Sequence, residues 1–129
     1  MGQTALGLLL EHLREERGLS LRELAQLSGV DHAYIYRLES GEKESPSEEV
    51  LSKLIKHLKA GKREVDMLRY LAEHTETDPD LIEHVLADQT VTYDVFAMVA
   101  GAAHRGKKSD YAKLIARARA VLADENGLG

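Results

Sequence analysis

Apolar residues in the first part of this chain recur at steps of three and four, the repeat that lines one face of a helix. Leu6, Leu9, Leu10 and Leu13 predict a first helix from Leu6 to Arg17, which Gly18 ends. Ser20 and Glu23 then have the spacing of a capping box, in which the hydroxyl takes the amide of Glu23 and the carboxylate reaches back. A short second helix follows to about Ser28, Gly29 supplies a left-handed closing residue, and Asp31 caps a third helix from His32 to Ser40. After a loop over residues 40–46, Pro46 with Glu48 and Glu49 suits the first turn of a fourth helix whose apolar face is Val50, Leu51, Leu54, Ile55 and Leu58. Beyond Ala60 and Gly61, a fifth helix carries Val65, Leu68 and Leu71.

The polar run from Glu73 to Pro79 marks a boundary, because proline disfavours a helix through Asp78. Three further helices are expected, near Asp80–Asp88, Thr92–His104 and Ser109–Glu125. Their apolar faces are Leu81, Ile82, Val85 and Leu86; Val95, Phe96 and Val99; and Tyr111, Leu114, Ile115, Ala118, Val121 and Leu122. Residues 126–129 should fray. The pattern therefore predicts an all-α chain in two parts, residues 1–74 with five helices and residues 75–129 with about three.

Composition agrees with that class. The 129 residues are 43% hydrophobic and 30% charged with two prolines, as in an ordinary globular protein, and β-branched runs are absent. Without cysteine there is no disulfide, thiolate metal site or thiol nucleophile. No apolar run approaches the roughly 18 to 20 residues that span a bilayer, and the start turns acidic where a signal peptide needs a cleavage site, so a cytoplasmic protein is expected. A net charge of -5 argues against nonspecific binding to polyanions.

Residues 21–40 meet the demands of two short helices crossing steeply, one of them free to enter a DNA major groove. Ala25 is small where the helices approach, Gly29 allows the sharp turn, and Leu24, Val30, Ile35 and Leu38 fill the wedge. The segment Leu13-Arg14-Glu15-Glu16-Arg17-Gly18-Leu19-Ser20-Leu21-Arg22-Glu23-Leu24-Ala25, with Ser28-Gly29-Val30 and Arg37-Leu38-Glu39-Ser40-Gly41, resembles the Cro/phage-repressor (XRE) helix-turn-helix family. The resemblance covers about the first 74 residues and implies a lambda-repressor-like five-helix domain that grips double-stranded DNA as a homodimer. It also implies an ion pair between Arg14 and Glu39.

By the same match, His32, Ala33, Tyr36 and Arg37 face base edges; Asp31, Tyr34 and Lys43 are further DNA-binding candidates, and with no glutamine at position 21 the phosphate contact falls to Ser20, Arg22 and backbone amides. Arg37 can donate bidentately to guanine, His32 can donate or accept, and Ala33 offers a methyl to thymine, while Tyr34 and Tyr36 could reach phosphate or pack. Two departures stand out. Leu21 replaces the glutamine that many relatives place at the start of helix two, and the loop after helix three reads Glu42-Lys43-Glu44 rather than basic. Residues 1–60 hold eight Lys or Arg against ten Asp or Glu, so affinity should be modest, dependent on dimerisation and sensitive to salt. The expected function is a sequence-specific transcription regulator, a repressor by type; the alternative is a protein-interaction module, such as an antitoxin or an inhibitor of a regulator, that uses the same fold.

From Tyr70 to His104 there is no Lys or Arg, while Glu73, Glu76, Asp78, Asp80, Glu83, Asp88 and Asp94 accumulate. From Arg105 to Arg119 the sign reverses, with Arg105, Lys107, Lys108, Lys113, Arg117 and Arg119 against Asp110. Tyr111, Leu114, Ile115, Ala118 and Leu122 could form a dimer seam or serve a small helical domain, the region could hold a protein partner, and Lys107 and Lys108 could touch DNA phosphate. A fragment ending at Glu76 would then fold as a weakly binding monomer. Gly101, Gly106 and Lys107 match the spacing of a phosphate loop but follow no apolar strand. The histidines at positions 12, 32, 57, 74, 84 and 104 are dispersed, and a metal site between Glu73-His74 and Glu83-His84 is far less expected than a chance pairing. No catalytic residue, metal or cofactor is expected.

Overall fold

The computed structural model describes residues 2–43, 45–102 and 110–125. The expectations for Glu44, the span His104–Ser109 including Arg105, Gly106, Lys107 and Lys108, and the last four residues lie outside them. Among the described residues there are helices and no strands: α1 Ala5–Glu16, α2 Leu21–Ser28, α3 His32–Ser40, α4 Glu48–Leu58, α5 Lys62–Glu73, α6 Pro79–Ala87, α7 Tyr93–Ala102 and α8 Tyr111–Glu125.

Each early boundary has a local cause. Thr4 caps α1 through the amide of Gly7, and Ser20 and Glu23 exchange both bonds of the capping box at 2.9 and 3.0 Å. Gly29 closes α2 at φ 76°, a conformation costly for any residue with a β-carbon, and Asp31 accepts the Tyr34 amide to start α3. At α4 the structure corrects the sequence reading: Ser47 is the cap, through Val50, and Pro46 lies before the helix as a buried residue rather than in its first turn. Pro79 opens α6 with Asp78 as its cap, where a missing amide hydrogen costs nothing.

The core is organised around α1, which packs on α3, α5 and α6; α2 packs on α3 and α4, α5 on α7, and α8 on α7 and α6. One buried cluster takes in Leu6, Leu9, Leu10 and Leu13 of α1, Leu24, Ile35 and Leu38 of the corner, Leu81, Ile82 and Val85 of α6, and Phe96 of α7. It thus includes residues from both sides of the polar run Glu73–Pro79. Met67, fully buried on α5, belongs to it and was not in the apolar face read from the sequence. Tyr70 stacks on His74 with ring centroids 4.0 Å apart and meets Phe96 edge-on at 5.3 Å, which fastens α5 to α7.

The backbones of α1 and α3 approach closely at Gly7. A β-carbon on Gly7 would lie 2.6 Å from the carbonyl oxygens of Leu38 and Glu39, so only glycine fits there. Ala25, the small residue of the α2–α3 corner, is partly buried against the core.

The seam expected along α8 is used within the chain. Tyr111, Ile115 and Ala118 are buried on the chain's own core, Leu114 and Leu122 are half-buried against it, and the Tyr111 hydroxyl donates to Asp78 at 2.6 Å. An apolar stripe of this spacing reads the same whether its partner is the same chain or another. Val121, which shared that stripe in the sequence reading, is 43% exposed. Arg119 donates to Thr90 at 2.8 Å and lies 3.5 Å from Asp88, holding α8 to the α6–α7 connection.

Candidate nucleic-acid interface

Helix α3 divides cleanly by direction. Ile35 and Leu38 are fully buried and Glu39 nearly so, while Tyr36 is 54% exposed and His32, Ala33 and Arg37 are partly exposed. These outward residues fall at the three- and four-residue steps of a single face, so α3 presents one continuous ridge to solvent.

Glu39 anchors the ridge from beneath. Its carboxylate accepts two bonds from Arg14, Nε at 2.7 Å and Nη2 at 2.9 Å, and Arg14 gives a third to the Leu19 carbonyl at 2.7 Å. Burial pushes the Glu39 carboxyl up, the Arg14 hydrogen bonds and charge oppose that rise, and the same pair holds the Arg14 guanidinium above its ordinary value. The bond expected from the resemblance is thus present, and it ties α1, the α1–α2 connection and α3 into one unit. Gln3 adds a link that sequence reading missed, donating to the Glu39 carbonyl at 2.8 Å and to Glu11 at 2.9 Å. A lone glutamine before a helix carries no pattern that would have revealed it.

The residues expected at the interface fall into two groups. Ser20 and Asp31 are exposed, but each side chain is occupied as a helix cap. Tyr34 is half-buried and packs against the core, which answers for it the choice left open by the sequence. His32 has its ring 3.9 Å from Asp31 and stands at the helix start. Arg22, Tyr36, Arg37 and Lys43, by contrast, make no side-chain hydrogen bond or ion pair among the described residues, leaving three cations and a phenol free. The Lys43 amide donates to the Arg37 carbonyl at 3.0 Å, so the loop folds back on the end of α3 and sets Lys43 beside the ridge.

The electrostatics are mixed. At the α2 N-terminus, where exposed amides commonly receive a phosphate, the Glu23 carboxylate takes the Ser20 amide, and those bonds hold its pKa below the usual carboxylate range. The cations of this surface are Arg22, Arg37 and Lys43, with the acids Glu23, Asp31 and Glu42 close to them in the sequence.

No helix among the described residues is long and apolar enough to cross a membrane, and no three His, Asp or Glu side chains among them gather in a metal-binding arrangement. No curated protein matches the chain. A family model described as a helix-turn-helix domain matches residues 5–85, which includes α1 to α5 and most of α6. With the α2–α3 corner, its braced inner face and its free outer ridge all within that span, the chain belongs to the helix-turn-helix domain family.

Proposed function

We propose that this chain is a sequence-specific double-stranded DNA-binding transcription regulator of the Cro/phage-repressor (XRE) type, working in the cytoplasm as a homodimeric repressor and acting by binding rather than catalysis. Helix α3 lies in the major groove, and His32, Ala33, Tyr36 and Arg37 meet the base edges. The observation that carries this reading is the division of α3: its inner side is fixed by Arg14–Glu39 and the core, while the side chains of Tyr36 and Arg37 make no hydrogen bond or ion pair among the described residues. A helix whose backbone is already fixed has little backbone entropy to lose on docking, and its uncommitted outward side chains need break no internal bond to reach a partner. A groove about 12 Å wide admits such a helix, and Arg37 matches the paired acceptors of guanine.

A second reading has its own support. The carboxylate of Glu23 occupies the α2 N-terminus, and Leu27 is 46% exposed near the ridge-bearing corner, features that suit a protein partner better than a phosphate. The two readings part in a selection from a random-sequence DNA pool at low salt. Enrichment of a palindrome with half-sites about one helical turn apart is the expected result. A pool that stays unenriched at low salt would instead favour the protein-interaction module.

A further inference from the structure

Asp110 caps α8 by accepting the Lys113 amide at 3.2 Å, but within the helix itself the bases precede the acids, the reverse of the order that suits a single helix. Helix N-termini favour acidic side chains and C-termini basic ones, because the backbone dipole is positive at the start and negative at the end. In α8 the first turn holds Lys113 and no acid, and the last turn holds Asp124 and Glu125 and no base. Arg117 extends the positive half.

These charges lie on the face turned away from the core. With Tyr111, Ile115 and Ala118 buried, the opposite side presents Lys113, Ala116, Arg117, Ala120 and Asp124, all exposed, and Val121 flanks them. Among the described residues, Lys113, Arg117 and Asp124 enter no side-chain hydrogen bond or ion pair. Arg119, set to one side of that face, is the basic residue of α8 that is spent within the chain.

A charge order that is unfavourable along one helix becomes complementary between two copies laid antiparallel. We infer that the outward face of α8 docks on the same face of a second copy of this chain, antiparallel, with Lys113 of each helix opposite Asp124 of the other and Arg117 one turn away from that same carboxylate. The two-fold axis then falls between residues 118 and 119, which sets Ala116 against Val121 and Arg117 against Ala120 of the partner. The alanines let the helices approach closely, and Val121 loses its exposure. A parallel pair would put like charges together at both ends, so the charges select the orientation. A helix of this length spans about 22 Å, and the contact is accordingly a weak one that two DNA half-sites reinforce through effective concentration.

This inference rests on the reading of the chain as a homodimer, and sedimentation of the full chain without DNA, over a range of concentrations, tests the two separately. The parent is expected to self-associate; Lys113→Glu and Asp124→Lys each weaken the dimer about tenfold, and the double variant recovers most of the loss. Neither single change should lower the thermal midpoint, since each moves the helix charges toward the order that the dipole favours. A dimer indifferent to both reversals overturns the α8 face and leaves the homodimer standing. A chain that stays monomeric at the highest concentrations overturns both, and so does a double variant no tighter than the singles for the proposed pairing.

Discussion

Arg37 and Glu39 stand two residues apart on α3 and point to opposite sides of it, so they separate recognition from folding. The Arg37 guanidinium has no partner among the described residues, and Arg37→Ala is expected to leave the thermal midpoint nearly unchanged. Its effect should appear as lost sequence discrimination of about 1 to 3 kcal/mol in competition binding between selected and scrambled DNA. Glu39→Ala strands the Arg14 guanidinium in the core and should cost about 3 to 5 kcal/mol of folding stability, read in denaturant melts. Both variants are expected to bind DNA less well, but only the second to lose folding stability. If Arg37→Ala kept the full preference for its operator, the assignment of the reading face would be wrong.

Helix by helix, capping chemistry was the part of the fold most open to reading from sequence. Ser20 with Glu23, Gly29 and Asp31 act through neighbours three or four residues away, so their signal is local and the helices they bound were legible. The capping box also titrates. Glu23 has a lowered pKa from its bonds to Ser20, so its contribution is complete above the usual carboxylate range and fades as pH falls through the lowered value. Glu23→Gln should therefore show a flatter loss of stability than the parent on acidification from about pH 5 to pH 3, by thermal melts across that range. A parallel fall in both would mean that the carboxylate adds nothing to α2. Long-range placement was less legible. Gly7 looks like a defect in an apolar helix until the α3 carbonyls beside it are known, and the buried stripe of α8 fits one chain or two equally well. The ridge of α3 lay between these cases: its outward residues followed from the resemblance to the helix-turn-helix family, but Tyr34 could be assigned to the core only once its neighbours were in place.

Across the full chain, the helix-turn-helix corner is not separate from the later helices. Helix α6 covers α1, the element that also holds α3, and α7 covers α5, so the second half of the chain supports the ridge from behind. Removing residues after Glu76 takes away Leu81, Ile82, Val85, Val95, Phe96 and Val99, each no more than 4% exposed. At about 1.5 to 3 kcal/mol for each large apolar side chain buried, their loss is on the order of 10 kcal/mol before the entropy recovered by the shortened chain. A domain of ordinary size is stable by only about 5 to 15 kcal/mol. The fragment 1–76 is thus expected to lack a cooperative thermal transition and to bind DNA no better than a scrambled competitor does. The family match points the same way, since it continues through α6 to residue 85 rather than stopping in the polar run. A fragment that melted cooperatively at the parent temperature would show that α1 to α5 close a core of their own, and that the later helices serve association alone.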